Sequence, residues 1–155
     1  MAIELEVNGQ LELLDVADDA TLAMALRECL GLSGVRIGCA AEQCGACHVL
    51  VDGESQPACS VPAIDLTGRS VDTVESLRDG SVEGALLAHG AGQCGYCLSG
   101  IVVSAHALFT RDPAPSEAQI RQALQPHLCR CGSQPRILRA LRELASTGTN
   151  KDRHQ

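Results

Sequence analysis

Eight of the nine cysteines in this 155-residue sequence fall into two sets of four. One set is Cys39-x4-Cys44-x2-Cys47 followed by Cys59, and the other is Cys94-x2-Cys97 followed much later by Cys129-x-Cys131. The last pair is the most restrictive. In an extended segment Cys129 and Cys131 point to the same face with Cα atoms about 6–7 Å apart, the upper edge of what a disulfide spans. Two thiolates that close repel each other unless a cation lies between them. The spacing asks for a metal, with further ligands from elsewhere in the chain.

The redox setting agrees. The first residues, MAIELEVNGQ, show no basic stretch followed by an apolar one, so no export signal is visible, and a cytoplasmic protein is expected. There thiols stay reduced, and clustered cysteines bind metal more often than they pair. No run of about 18 apolar residues exists to span a membrane. The formal charge of −7 argues against nucleic acid as a partner, because phosphate neutralisation needs a basic face. Apolar residues make up 45% of the chain, yet only Tyr96 and Phe109 are aromatic, so any core is built from Leu, Val, Ile and Ala. Two domains of roughly 75 residues would each be small enough for a metal to matter to stability.

The hydrophobic pattern changes character near residue 76. Before it, Ile3, Leu5 and Val7 alternate with polar residues, Asn8-Gly9 signals a two-residue turn, and Leu11 and Leu13 resume the alternation, which predicts a β-hairpin over residues 1–15. A helix capped by Asp18 or Asp19 follows, with Leu22, Leu26 and Cys29 on one face and Gly31 at its end. After a cysteine-rich loop from Gly38 to Cys47, "HVLVDG" reads as a strand entering a turn at Asp52-Gly53. A return strand runs through Cys59, and Val71 and Val74 suggest one more short strand. Beyond residue 76 the periods are helical: 81–89 ending at Gly90, then 99–110 with Ile101, Val102, Ala105 and Leu108 as its apolar side. Ser116 with Gln119 forms a capping box for a third helix. Pro135 suits the first turn of a fourth, whose stripe is Ile137, Leu138, Leu141 and Leu144. The polar tail from Gly148 is expected to fray. The expected architecture is a β-rich half followed by a helical half, with one cysteine set in each.

The first set has the plant-type [2Fe–2S] spacing, in which a tight loop supplies three thiolates and a distant cysteine closes the site. Soft, strongly donating thiolates suit iron, and the loop's backbone N–H groups moderate the cluster's negative charge. Gly38 and Gly45 would relieve crowding where backbone passes close to the cluster. The second set alone fits zinc as well as iron–sulfur, since zinc also takes four thiolates from two knuckles. The plant-type loop in the same chain favours iron–sulfur. Cys94/Cys97 and Cys129/Cys131 each lie where one helix ends and the next begins, so both loops could meet at one end of a helical bundle. Cys29 reads as a small buried hydrophobe on the Leu22/Leu26 face.

Other motifs carry less. "GAGQCG", residues 90–95, satisfies G-x-G-x-x-G but follows a helix rather than a strand, so it is no dinucleotide fingerprint. His48, His89, His106, His127 and His154 form no metal-spaced pair and read as structural or solvent-facing; His127, beside the second cysteine pair, is the one of interest. Arg130, Arg136 and Arg139 read as a solvated helix start, with the docking of an anionic partner as the less favoured alternative. No nucleophile elbow, zinc-hydrolase motif or Walker loop appears.

With "GCAAEQCGACHVLVDG" in one half and "QCGYCLSG" and "LCRCGSQPRI" in the other, the chain resembles, over about residues 2–147, the small iron–sulfur subunit of the molybdenum hydroxylases, the xanthine dehydrogenase and aldehyde oxidase family. The resemblance implies an α+β chain: a β-grasp, plant-type ferredoxin-like domain over residues 1–76, a four-helix bundle over 77–147 and a flexible tail over 148–155. It implies two [2Fe–2S] clusters, the first on Cys39, Cys44, Cys47 and Cys59 and the second, nearer the molybdenum, on Cys94, Cys97, Cys129 and Cys131. Gln93 and Cys131 would lie close to the pterin of a molybdenum cofactor held by a large partner subunit, where catalysis takes place. This chain would relay electrons to a cytochrome or a flavin subunit, with no catalytic residue of its own. Three departures stand out: Ala40-Ala41-Glu42 where the family usually has glycines flanking an acidic residue, His48 where a threonine is usual, and "CLSG" and "CRCGSQ" in place of commoner endings. The last leans toward the isoquinoline, nicotinate and aldehyde branch, with an N-heteroaromatic or aldehyde substrate. A free two-cluster ferredoxin and a zinc-stabilised interaction module are the alternatives.

Overall fold

The computed structural model describes residues 1–78 and 80–151. Strands β1 (Ala2–Val7), β2 (Gln10–Asp15), β3 (His48–Val51), β4 (Glu54–Pro57) and β5 (Ser70–Asp72) form one sheet in the order β2-β1-β5-β3-β4. Only β1 and β5 run parallel. Both hairpins use the left-handed two-residue turn that matches strand twist: Asn8-Gly9 at φ 53° and 77°, and Asp52-Gly53 at φ 48° and 82°. Asn8 also closes the crossover to β5, since its Oδ1 accepts from Thr73 N at 2.8 Å.

Ile3, Leu5 and Val7 point into a core completed by Leu22, Leu26, Val49, Val51 and Val71. The register pairs these β1 residues with Leu14, Glu12 and Gln10, so Leu14 shares their face. Leu11 and Leu13 therefore lie on the opposite face, opposite Glu6 and Glu4, and are 70% and 75% exposed. The alternation on β2 was legible, but the turn sets which set of residues faces inward.

Helix α1 (Leu22–Met24) is capped by Thr21, whose Oγ1 accepts from Met24 N at 3.3 Å, rather than by Asp18 or Asp19. It continues as a π-helical turn over Ala25–Cys29. That wider turn puts Cys29 out of the phase of an ideal α-helix, so Ala25 and Leu26 are buried and Cys29 is exposed, against the expectation of a core residue. Gly31 at φ 69° ends the helix, its N–H bonded to Arg27 O. A 3₁₀ turn at Ala63–Leu66 leads into β5. The return strand β4 stops at Pro57, before Cys59, and Val74 lies in a turn beyond β5.

Helices α2 (Ser81–Ala88), α3 (Leu98–Arg111), α4 (Glu117–Leu124) and α5 (Gln134–Lys151) enclose a second core of Val82, Leu86, Ile101, Leu108, Ile120, Ile137 and Leu141. The capping box forms as expected: Gln119 N bonds Ser116 Oγ while Ser116 N donates to Gln119 Oε1 at 2.8 Å. Helix α5 runs past the expected start of the tail, through Gly148 to Lys151; a Cβ on Gly148 would fall 2.3 Å from Pro113 O. Residues 152–155, including His154, lie outside the described residues.

Strand β3 is buried on both faces. Val49 and Val51 face the first core, whereas Leu50 meets Leu77, Val103 and Ala107 in a third cluster beneath α3. The sheet and the helices are thus packed together across β3 and α3. No helix of the described residues is long and apolar enough to cross a membrane.

Candidate metal centres

All nine cysteines are free thiols. The loop from Gly38 curls around Cys39, whose Sγ receives the N–H groups of Ala41, Gln43 and Cys44 at 3.4, 3.2 and 3.3 Å. These bonds hold its pKa down to about 7 although it is exposed. A Cβ on Gly38 would fall 2.8 Å from Cys44 Sγ, which explains the glycine. Cys47, at the entry to β3, and Cys59, just past β4, are buried beside the first core, and burial pushes Cys47 up to about 11.

The second set assembles at one end of the helices. Cys94 and Cys97 lie between α2 and α3, Cys129 and Cys131 between α4 and α5, and all four line one small hollow with Gln93 and Ser133. Burial raises Cys97 to about 11. Burial also works against the Cys129 thiolate, but the N–H of Ser133 and neighbouring contacts outweigh it and hold its pKa below the usual thiol value. Cys94 is lowered by the N–H of Tyr96, 3.5 Å from its Sγ, and by Cys131. Gln93 is exposed, and its Nε2 donates to Cys131 O at 3.1 Å, which brings the two residues expected near a pterin into contact.

Within each set the thiols touch in pairs: Cys39 with Cys44 and Cys47 with Cys59; Cys94 with Cys131 and Cys97 with Cys129. Two irons joined by sulfides need two thiolates each, whereas one zinc ion needs all four thiolates around a point. Among the described residues no group of three His, Cys, Asp or Glu converges on a single-ion position. Four thiols in two pairs, with backbone N–H groups turned toward the sulfurs, fit a two-iron cluster at both places.

The two loops meet. Leu128 N, one residue before Cys129, donates to Cys44 O at 3.0 Å. Between them lies His127, 2% exposed, whose Nε2 is 2.7 Å from Ser104 Oγ on α3. Ser104 Oγ is 2.8 Å from Ser55 Oγ on β4, which is 2.9 Å from His48 Nδ1, and the two imidazoles meet edge to face at 4.7 Å. Burial lowers both imidazole pKa values, His127 to about 4, with His48 adding to the shift. This cluster was not read from the sequence. Two signals were present: His48 in place of the usual threonine, and His127 next to Cys129. On the outside Arg36 bonds Gly95 O and sits 5.3 Å over the Tyr96 ring, while Tyr96 Oη donates to Ile37 O at 2.8 Å. Arg130, Arg136 and Arg139 are exposed, as expected of a solvated helix start.

Comparison with known proteins gives these sites a family. The model of the 2Fe-2S iron-sulfur cluster binding domain matches residues 5–70, and that of the [2Fe-2S] binding domain matches residues 73–142. The chain is a two-cluster iron–sulfur protein. The small iron–sulfur chain of nicotinate dehydrogenase from Pseudomonas putida is 41% identical over 149 residues, covering 94% of this chain and 95% of the relative. The alpha chain of isoquinoline 1-oxidoreductase from Brevundimonas diminuta is 40% identical, covering 92% and 97%. Among solved structures, quinoline 2-oxidoreductase from Pseudomonas putida 86 matches with a TM-score of 0.89 and 33% identity, covering 97% of this chain and 96% of that one. The chain belongs to the iron–sulfur subunits of the molybdenum hydroxylase family, oxidoreductases whose catalytic site lies on another chain.

Proposed function

We propose that this chain relays electrons from the molybdenum cofactor of a large partner subunit to an external acceptor, through a second cluster on Cys94, Cys97, Cys129 and Cys131 and a first on Cys39, Cys44, Cys47 and Cys59. The clusters supply one-electron steps, so that a two-electron oxidation on the partner is drained one electron at a time. The observation that carries the reading is the Leu128 N–H bond to Cys44 O, which joins the loops bearing the two thiol sets through one hydrogen bond. Cys44 lies in one set and Cys129 follows Leu128 directly, so the loops present a continuous bonded path between them.

The helical half, read as a four-helix bundle, would dock its second site on the molybdenum subunit. Leu87, Tyr96 and Leu128 are 80%, 47% and 62% exposed, and all lie near that site: Leu87 shares a groove with Gln93, Tyr96 stands between Cys94 and Cys97, and Leu128 precedes Cys129. Large apolar side chains gathered in this way suit a lasting interface better than a freely diffusing ferredoxin. The exposed Cys39 loop would face the acceptor, a cytochrome or a flavin subunit. By likeness to the relatives named above, the substrate handled by the partner is an N-heteroaromatic compound or an aldehyde, and the setting is the cytoplasm, where the thiols stay reduced.

Low-temperature EPR of the dithionite-reduced protein, isolated with whatever accompanies it, tests the assignment. Two distinct [2Fe–2S] signals are expected, with Cys59→Ser losing one and Cys129→Ser the other, and a molybdenum(V) signal from the co-purifying subunit. A single iron–sulfur signal in the unsubstituted protein, with zinc in place of the other cluster, would end the relay reading.

A further inference from the structure

Two histidines and two serines are packed where the sheet meets the helices, and neither thiol set uses them. His48, Ser104 and His127 are 7%, 5% and 2% exposed and Ser55 is half-buried. Burying polar groups costs stability unless their hydrogen bonds are made, and here they are made to one another in series. One proton arrangement serves all of them. His48 Nδ1–H donates to Ser55, Ser55 to Ser104 and Ser104 to His127 Nε2, which leaves the His127 proton on Nδ1. That atom has no well-formed hydrogen bond, and the polar group beside it is the Gly45 backbone.

The imidazole of His127 is a wedge between three backbones. A Cβ on Gly45 would fall 2.3 Å from His127 Nδ1 and 2.7 Å from Pro126 O. A Cβ on Gly100 would fall 2.0 Å from Gly45 O and 3.2 Å from His127 Cε1. Gly45 follows Cys44 and His127 precedes Leu128, so the ring sits one residue from each end of the Leu128 N–H···O Cys44 bond. Its outer edge is fixed by Ser104 at 2.7 Å.

We propose that Ser104 and His127, anchored through Ser55 and His48, are positioning residues that clamp the Cys39–Cys47 loop onto the Pro126–Cys129 segment and so fix the contact between the two thiol sites. The proposal rests on the relay reading for its purpose, though not for its geometry. The clamp spans elements far apart in sequence: Ser55 lies on β4, Ser104 on α3 and His127 beyond α4. The apolar contacts of Leu50, Leu77, Val103 and Ala107 hold sheet and helices together, but none of them lies next to a cysteine of either set in sequence. Only the polar series reaches the loops.

Ser104→Ala removes the hydroxyl that holds the ring. Val103→Ala weakens the same interface by deleting apolar volume and leaves the polar series whole. In the cluster-loaded protein, Ser104→Ala is expected to speed deuterium exchange at the Leu128 amide roughly tenfold, the equivalent of about one net hydrogen bond. It should also weaken the magnetic interaction between the two reduced clusters in EPR, with each cluster's own signal retained. Val103→Ala should lower the unfolding temperature without either change. Wild-type Leu128 exchange and inter-cluster interaction in Ser104→Ala would overturn the clamp, and so would equal effects from Val103→Ala. If Ser104→Ala does not assemble, Ser55→Ala breaks the series at its half-buried end, and the same two readouts apply with a smaller change expected. Failure of the relay reading would show separately, as a missing cluster signal in the unsubstituted protein, whereas Leu128 exchange reports only on the loops.

Discussion

The two thiol sites are built on the same turn. Cys44-Gly45-Ala46-Cys47 and Cys94-Gly95-Tyr96-Cys97 share the Cys-Gly-x-Cys pattern, and their glycines adopt nearly the same left-handed conformation, φ 75° and 76°. Their surroundings differ. Gly95 has nothing within 4 Å of where a Cβ would stand, while Gly45 is pressed against His127 and Pro126. The first turn is covered by the loop that feeds the second site, and the second turn opens toward the surface that carries Gln93 and Tyr96. One local motif thus serves an internal contact in one place and an external one in the other, and tertiary packing decides which.

Alanine at the two glycines breaks that symmetry if it is real. Gly95→Ala meets only the left-handed backbone cost, about 1–2 kcal/mol. Gly45→Ala adds a clash with a packed ring and a carbonyl, roughly 3 kcal/mol or more in total. At about 2–4 °C per kcal/mol for a chain of this size, Gly45→Ala should lose cluster absorbance on heating at least about 6 °C below wild type, and Gly95→Ala about half as far below. Equal losses would mean that the buried contact at Gly45 carries no weight. Gly45→Ala should also disturb the second cluster's EPR signal, which Cys59→Ser should leave alone.

Much of this was legible in the sequence, and the failures have definite causes. Cysteine spacing is local chemistry, so the two sets and the loops that hold them were visible before any fold was known. Turn pairs such as Asn8-Gly9 and the Ser116/Gln119 box are local too. Cys29 was misplaced because the periodicity argument assumes 3.6 residues per turn, and the π turn at Ala25–Cys29 does not keep that period. Leu11 and Leu13 were assigned to the wrong face because alternation gives two faces without saying which one is inward. The His48–Ser55–Ser104–His127 series joins a sheet and two parts of a helical region, and no spacing rule relates residues brought together only by packing.

Charge divides the chain as sharply as packing does. Residues 1–76 hold thirteen Asp and Glu against three Arg, and residues 77–155 hold six against nine Lys and Arg. The three arginines of the first part are all engaged: Arg27 with Val35 O and Ser33 O, Arg36 with Gly95 O and Tyr96, and Arg69 with Asp52. A reductant whose exit lies in the first part should therefore react faster with cations. Reoxidation of the reduced protein by hexaammineruthenium(III) should slow several-fold from about 10 mM to 150 mM salt, as the Debye length falls from about 30 to 8 Å. Reoxidation by ferricyanide should quicken over the same range. The same salt response for both probes would place the exit away from the acidic part.

The smallest effect tests the loop that departs from its family. Ala40 and Glu42 take φ 52° and 58° in the turn around Cys39, where related chains usually carry glycines beside an acidic residue. An L-residue there costs about 1–2 kcal/mol in the folded state, and glycine would relieve it at Ala40. Glycine also widens the unfolded ensemble, which takes back about 0.4–1 kcal/mol. The net gain expected for Ala40→Gly is therefore below about 1 kcal/mol, a rise of up to a few degrees in the temperature of cluster loss. The N–H groups of Ala41, Gln43 and Cys44 that converge on Cys39 Sγ depend on this backbone shape, not on the methyl group. The first cluster's EPR signal should accordingly be unchanged. A shifted signal would mean that Ala40 holds the N–H groups on the sulfur, and that glycine lets the loop relax away from it.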